Sequence, residues 1–565
     1  MSFIPRLLLA ASLTLASAAP VLAFDRVLPS ARIKDNGDIQ LSDDVKLGKR
    51  QGGKTILQPD SLQIGGEGST GPASGLGVSP KAGGTLSSLR KLFMSGCPPI
   101  EAFGGKADGA TDNTAAYLRA LSPAEGRLES GAVDRGACVA FGSGEYLFSS
   151  PVSYTYPSSG TYPNRAAHAV ALRGAGSAAT SLKFASSAGL QFVLDGYKQT
   201  LHLSGMSIVT TSTGGGSGVK VTQNECMLSF DQSTFSDLTF RGERSDLNHR
   251  WDIDAEIIGM SGTSWKGVTF YGDDTWSHGT GLSFKGNMSG SRGCTQPFIH
   301  SIYHNLDHVI FNQHDTGLLL DDYVQGITIT GANFQNGNYG IRQPAGMLAP
   351  DNVQFNITNS QFQLGVADIS IGTGFALSSI SNSLFLMGEN PGVVGIDLRG
   401  TNLFTISGNV FNTVVPGTGG GIGVRTNGAV NTIVGNSFSG LTTGVDLMAG
   451  SQNNTVTGNT YNVMPVPYIN AGTNNTLPVV PSSTTVAITS CDPATYFVPH
   501  KLPAAPKTDR IQASVSQPAT GGANIATPNV WVRGTDATNV TVSFSCGTFG
   551  ASGNIQVNLT SSLSN

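Results

Sequence analysis

Along the middle of the chain, apolar residues recur in one short pattern. The segments "ITGANF" (329–334), "ITNSQF" (357–362), "ISNSLF" (380–385), "ISGNVF" (406–411), "IVGNSF" (433–438) and "VTGNTY" (456–461) each place an aliphatic residue five positions before an aromatic one, with Gly or Asn at the bend. Successive copies follow one another at a period of roughly 25 residues, as a solenoid requires. Looser copies upstream pair Leu203 with Ile208, Phe235 with Phe240, Trp265 with Phe270 and Leu306 with Phe311. A second series runs in step: "GLLLDD" (317), "GIRQP" (340), "GIDLR" (395), "GIGVR" (421) and "GVDLM" (444).

Two strand-like ladders per period, with inward Ile, Leu, Val and Phe stacked on their equivalents above and below, predict an all-β parallel β-helix. A leucine-rich repeat would carry its Leu frame and a helix in each unit, and a propeller would repeat four alternating strands over roughly 40 to 50 residues. Neither pattern occurs. The aromatic column is therefore expected to be core packing, and Trp265, which falls on the ladder, belongs with it.

One stretch breaks the strand pattern. In "FGGKADGATDNTAAYLRAL" (103–121), Asp108-Gly109 suits a turn, and Thr111 or Asp112 can N-cap a helix whose apolar side is Ala115, Ala116, Leu118 and Leu121. A solenoid's first coil has no neighbour, so a helix here predicts a cap, with Asp108 and Asp112 in backbone roles. The segment from about 480, with "TTVAITSC" and "VTVSFSC" around Pro/Gly-rich loops, predicts a small β module or cap at the other end. The expected organisation is a signal peptide at 1–23, a Gly/Ser/Pro-rich arm or linker at 24–96, the β-helix at 97–475 and the C-terminal module at 476–565.

Composition narrows the partners. Only 12% of the 565 residues are charged, the formal charge is -4, and Gly numbers 73. That balance gives no reason to expect nucleic acid or an anionic membrane surface. The N-terminus "MSFIPRLLLAASLTLASAAPVLAF" has one Arg, an apolar run from Leu7 to about Ala16 and small residues before a polar start. It reads as a secretory signal cut after Ala23, too short to span a bilayer, and predicts a secreted, periplasmic or cell-surface protein. Six cysteines in an exported chain permit disulfides. By region, Cys97 falls near Cys138 and Cys491 near Cys546, while small buried hydrophobes remain an alternative for Cys226 and Cys294.

The capping stretch, together with "ACVAFGSGEYLFSSPVSY" (137–154) and "VALRGAGSAATSLKF" (170–184), resembles the N-terminal part of the pectate lyase superfamily of right-handed parallel β-helices. That group includes polygalacturonases of glycoside hydrolase family 28, rhamnogalacturonase-like enzymes and phage tailspikes. The resemblance implies a right-handed β-helix acting on, or binding, polysaccharide, with trimers if the likeness is to tailspikes. In the family 28 hydrolases the catalytic set resembles Asn-x-Asp, Asp-Asp, Gly-His-Gly and Arg-x-Lys on neighbouring coils. Here Asn305-Leu306-Asp307 and Asp321-Asp322 occur in that order, but Asp307 and Asp321 lie closer in sequence than any two successive copies of the ladder. Gly-His-Gly is absent, and the only Arg-x-Lys, Arg32-Ile33-Lys34, precedes the helix.

The residues themselves favour another place. Five of nine histidines (His278, His300, His304, His308, His314) and three of four tryptophans (Trp251, Trp265, Trp276) lie between 251 and 314. Counting three and four positions past Phe240, Phe270 and Phe311 gives Glu243/Arg244, Asp273/Asp274 and His314/Asp315. Stacked one coil apart, such acids would lie about 5 Å from one another, and two coils apart about 10 Å, which brackets the carboxyl separations of glycosidases. Glu243, Asp273, Asp274, His314 and Asp315 are thus the catalytic candidates. Arg244, Trp251, Trp276 and His278 are the substrate-binding candidates, with Asp307, Asp321 and Asp322 secondary. The later coils read as polar and nearly acid-free on their ladders. Three histidines spaced along "HSIYHNLDH" extend too far for one ion, so no metal site is expected. Hydrolysis needs no cofactor; a lyase of this class would want Ca²⁺ and a basic residue near an acidic sugar. With the substrate class that the family resemblance implies, the expected function is a hydrolase cleaving a pectin-like or other acidic polysaccharide or exopolysaccharide by paired carboxylates, with a polysaccharide lyase or a non-catalytic, adhesin-like (tailspike-like) carbohydrate binder as alternatives.

Overall fold

A computed structural model describes strand cores at 31–33, 39–41, 49–51 and 54–56, and then residues 97–121, 137–156, 168–195, 199–224, 232–244, 248–288, 299–346, 354–372, 374–388, 392–413, 420–464, 466–477, 480–488, 495–499, 511–516, 529–536, 539–545 and 553–561. The chain divides into Met1–Pro98 and Pro99–Asn565. In the first unit, Ala31–Ile33 pairs antiparallel with Ile39–Leu41, and Lys49–Gln51 with Lys54–Ile56. These short pairs lie where composition suggested only an arm or linker. The signal segment, Cys226, Cys294, Cys491 and Cys546 fall outside the described residues. Cys97 and Cys138 are both disulfide-bonded.

The second unit holds the parallel β-helix that the ladders predict, right-handed as the resemblance implies. Each coil contributes to three walls. A representative coil runs Thr263–Lys266 in the first wall, Thr269–Tyr271 in the second and Thr280–Lys285 in the third. The next coil stacks on it in parallel register, with Trp265 against Leu306, Phe270 against Phe311 and Leu282 against Leu318. The upstream pairs of the ladder hold too: Leu203 lies beside Phe235 and Ile208 beside Phe240.

Alternation along each short strand sends the middle residue inward, and that is where the sequence keeps its aromatics. From Phe240 to Tyr461 nine rings stack in one column, with neighbouring centroids 4.5 to 5.5 Å apart. The spacing is that of adjacent strands, so ring stacking and backbone pairing reinforce one another. Trp265 is buried and stacks on Phe235 at 3.9 Å.

The glycines of the second series have a steric cause. A Cβ on Gly423 would stand 2.5 Å from the Phe438 ring and 2.6 Å from the Gly444 carbonyl, and one on Gly281 2.7 Å from the Phe311 ring. The third wall therefore lacks a side chain where an aromatic edge from the second wall rests. In "GIGVR" it is Gly423, not the leading Gly421, that fills this role.

Inside the bend between the first and second walls runs a column of asparagines. Asn436 Oδ1 accepts from the Asn409 amide and Nδ2, each at 3.0 Å, while Asn436 Nδ2 donates to the Ile406 carbonyl at 2.9 Å and to Asn459 Oδ1 at 3.0 Å. A parallel column links Asn431, Asn454 and Asn475. Backbone groups at these bends are thus satisfied without water.

The cap forms as expected, with its faces adjusted. The helix Thr114–Leu121 buries Ala116, Tyr117, Ala120 and Leu121, while Leu118 is exposed. Asp108 accepts from the Ala110 and Thr111 amides and the Thr111 hydroxyl. Asp112 accepts from the Thr114 amide and hydroxyl and from the amide and hydroxyl of Ser149. Both carboxyls lie near pKa 2. The Thr111 amide is the main cause at Asp108; at Asp112 burial pushes upward, and the bonds from Ser149 and Thr114 outweigh it. At the C-terminal end, two three-stranded antiparallel sheets are built from strands between Val480 and Ser561.

Candidate active site

Register in the second wall carries the expected column only as far as the strands reach. Phe240, Phe270 and Phe311 are neighbours, and so are Ile253, Thr280 and Thr316 where the third wall begins. The corner between those walls runs from Phe240 to Ile253 in one coil, from Phe270 to Thr280 in the next and from Phe311 to Thr316 in the third, so it shortens at each step. Residues counted from the phenylalanines therefore diverge. Asp315 donates its amide to the His278 carbonyl at 2.9 Å, which sets it over His278 and not over Asp274.

His314 occupies the short corner and points inward. It is buried, with Nε2 2.8 Å from Asp254 Oδ2, and Asp254 is buried as well, its carboxyl pushed up to about 6 by burial against the opposing pull of His314. Sequence reasoning did not single out Asp254. Its partner lies two coils further along the chain, and neither group can touch a substrate. Trp251 is buried too, so its ring cannot serve as a sugar platform.

The longer corner at 272–279 folds around Asp273, whose side chain has no exposed surface. Asp273 Oδ1 accepts from the Thr275 amide at 3.0 Å and its hydroxyl at 2.5 Å, while Oδ2 lies 3.0 Å from Arg250 and 3.3 Å from His278 Nδ1. Burial pushes this carboxyl up, but Thr275, Arg250 and His278 outweigh it and hold the group below the ordinary carboxylate range. Ser277 Oγ and Asp273 both face Nδ1 of His278, so the three do not form a nucleophilic relay, which needs a different ring nitrogen for each. Trp276 stands exposed on this corner with φ +57°, a left-handed backbone that a bulky side chain seldom adopts. Asp274 is exposed and accepts from Gln313 at 3.2 Å. Asp315 accepts from Asn338 at 2.8 Å and lies 3.7 Å from Arg342.

Glu243 lies elsewhere, in a cluster the numbering hides. The Lys183 ammonium contacts Glu243 and, at 3.3 Å, Glu145. Lys183 belongs to the coil next to Glu145 and reaches past Val209, which is buried, to the coil of Glu243. Two carboxylates sharing one ammonium cannot be more than roughly 6 Å apart. Glu145 and Arg241 line an open groove of about 520 Å³ with Ser181, Ser207 and Thr239 on its floor. The two glutamates hold the Lys183 ammonium above its usual range, Glu243 most strongly. Arg244 is exposed at the edge of the described segment. A second groove, of about 350 Å³ on the first wall, is lined by Tyr303, Asn305, Thr328 and Asn356 among others, with no carboxylate among the described residues that line it.

The secondary candidates separate. Asp307 ends a first-wall strand beside His308 (2.6 Å) and Lys266 (3.9 Å), whereas Asp321 follows a third-wall strand and pairs with Lys285 at 2.8 Å; Asp322 adjoins it, half-buried. Their short separation in sequence is the passage between walls within one coil. The histidines scatter likewise: His304 is buried against Phe284 and bonded to Thr263, and among the described residues no group of His, Cys, Asp or Glu is arranged to hold a metal ion. The later coils do carry acids on the third wall, contrary to expectation. Asp368 is buried, and Asp397 and Asp446 lie on either side of Arg425 in adjoining strands. Burial raises the Asp368 and Asp397 carboxyls.

No helix among the described residues is long and apolar enough to cross a membrane. Residues 100–347 match the family model of rhamnogalacturonase A/epimerase, pectate lyase-like, and residues 288–485 match that of the periplasmic copper-binding protein NosD. No curated protein matches the chain. Among solved structures it is similar to the Dettilon tailspike protein gp208 (11% identity, TM-score 0.44, 82% of this chain and 94% of that one). It is also similar to the tailspike protein gp49 from Pseudomonas phage LKA1 (13%, 0.42, 82% and 99%). A third is a tailspike protein of E. coli bacteriophage HK620 in complex with a pentasaccharide (10%, 0.48, 89% and 98%). The match over 100–347 begins at the capping segment and spans the charged groove and the looped corners, so this part of the parallel β-helix is similar to the pectate lyase-like family.

Proposed function

We propose that the protein is an exported polysaccharide hydrolase that holds a glycan along its second wall and cleaves it at Glu145 and Glu243. The observation that carries this reading is the pair of carboxylates from separate coils, drawn together by Lys183 beside an open groove. Their separation suits the retaining arrangement, in which one carboxyl protonates the leaving oxygen and the other attacks the sugar. Both glutamates keep about a third or more of their side chains exposed, unlike Asp254 and Asp273. Exposed Trp276 offers a ring face for stacking on a sugar.

One feature favours a second reading. Lys183 contacts both carboxylates, whereas a general acid must be free to hand its proton to the leaving oxygen. A resting triad of this kind suits binding without cleavage. Reducing-sugar release and unsaturated-product absorbance, assayed on a polysaccharide panel, separate the cases. Hydrolysis predicts reducing ends without unsaturated product, and a loss of roughly 10²- to 10⁴-fold in Glu243→Gln and in Glu145→Gln. Cleavage unchanged in both variants removes this site; binding with no cleavage leaves the binder; unsaturated product makes it a lyase.

A further inference from the structure

Downstream of the charged groove, the outer face of the second wall changes character. Asn312, Gln335 and Gln363 occupy one outward column in three consecutive coils, and Asn333 and Gln361 continue the neighbouring column, flanking the buried rings of Phe311, Phe334 and Phe362. Five amides thus share one patch, with strands about 4.8 Å apart.

Stacked amides often satisfy one another, as the internal asparagines do. These do not. Among the described residues the side chains of Gln335, Gln361 and Gln363 have no hydrogen-bond partner, and Asn333 Oδ1 is enclosed without one. In this patch only Asn312 is engaged, accepting from Asn336 at 2.9 Å. The next coil replaces the amides with Leu384 and Leu386, and the one after it pairs Val410, 43% exposed, with Leu384 and returns an amide, Asn412, beside Leu386.

Among the described residues, most of the cations bordering this face are already paired. Lys183 is held by Glu145 and Glu243, Arg250 by Asp273, Arg342 by Asp315 and Lys285 by Asp321. Arg241, in the groove, donates to the Gly242 carbonyl. An acidic polymer brings one carboxylate or sulfate every residue or two and needs a matching series of open cations. Unpartnered amides offer a donor and an acceptor each, which is what sugar hydroxyl and acetamido groups require, and the Leu384/Val410 strip suits sugar C–H faces.

We propose that the glycan bound along the second wall is uncharged and is read by the amide patch Asn312, Asn333, Gln335, Gln361 and Gln363. This rests on the polysaccharide reading above and departs from the acidic, pectin-like substrate that the family resemblance implies. Titration calorimetry of the full chain with cellohexaose, mannohexaose, chitohexaose and hexagalacturonate, at low and high NaCl, tests it. At least one uncharged oligomer should bind with an affinity that salt leaves within about twofold, since no counterions are released. Gln335→Ala combined with Gln363→Ala should weaken that binding roughly tenfold at an unchanged melting temperature. Preferential, salt-sensitive binding of hexagalacturonate overturns the inference, as does a double variant that binds like the parent. Cleavage of hexagalacturonate would keep the hydrolase and discard the amide reading; an uncharged glycan bound but uncut would do the reverse. If none of the four binds, both fall.

Discussion

Asn436 and Gln335 carry the same functional group, and the protein treats them in opposite ways. Inside the bend, Asn436 commits its carbonyl to Asn409 and its amide to Ile406 and Asn459, and is almost entirely buried. Outside the wall, Gln335 is half-exposed with its amide unengaged. The contrast separates what the coil needs in order to stack from what it holds ready for a ligand. Internal amides replace water for backbone groups that stacking has sealed off, so their geometry is fixed by the coil. External ones are under no such demand.

Substitutions should widen or collapse that contrast in a graded way. The largest effect is expected at Phe362, stacked between Phe334 at 4.8 Å and Phe385 at 4.9 Å. Phe362→Ala should cost about 3 to 5 kcal/mol in denaturant unfolding, because coils above and below both lose a ring face. Asn436→Ala comes next, at about 2 to 3 kcal/mol by the same measurement, since it leaves the buried Asn409 amide without its acceptor and removes a donor from the Ile406 carbonyl. If that variant is as stable as the parent, the internal column is decoration and the comparison fails.

The cap gives a smaller effect with a pH signature. Asp108 and Asp112 titrate near 2 when folded, against an ordinary 3.8, so their contribution is complete above about pH 4 and is lost as pH falls toward 2. The protection of the Thr114–Leu121 amides, their exchange relative to the intrinsic rate at each pH, should fall over that window, and Asp112→Ala should show the lower protection already at neutral pH, by an amount on the order of 1 kcal/mol. The smallest change in stability, within about 0.5 kcal/mol, is expected for Gln361→Ala. A large destabilisation there would show that the outer amides are structural after all.

Much of the fold could be read from the chain because its determinants are local and repeated. An aliphatic residue, a bend and a ring recur once in every coil, and each coil must repeat them to stack. The cap was legible because Asp108 and Asp112 bond mostly to residues close to them in sequence. The site was less legible. Counting from Phe270 assumes a constant corner, yet corners that shorten from coil to coil set His314 inward against Asp254 and Asp315 over His278. Trp251, read as a surface ring, is buried. Glu145 was missed because its connection to Glu243 runs through Lys183, across coils that are remote in sequence. Alternation within each second-wall strand was the available signal: in "GEYLF" it places Glu145 outward beside the inward Tyr146.

The varying corner has a consequence for descent. Between the second and third walls, the stretch from Phe240 to Ile253 is more than twice as long as the one from Phe311 to Thr316 two coils on, yet Ile253, Thr280 and Thr316 remain side by side. Closing a loop twice as long costs only about 0.6 kcal/mol, so lengthening this edge scarcely disturbs the stack. Heritable insertions and deletions can therefore accumulate along one seam of the molecule, altering what a lineage recognises while the paired strands and the ring column pass on unaltered.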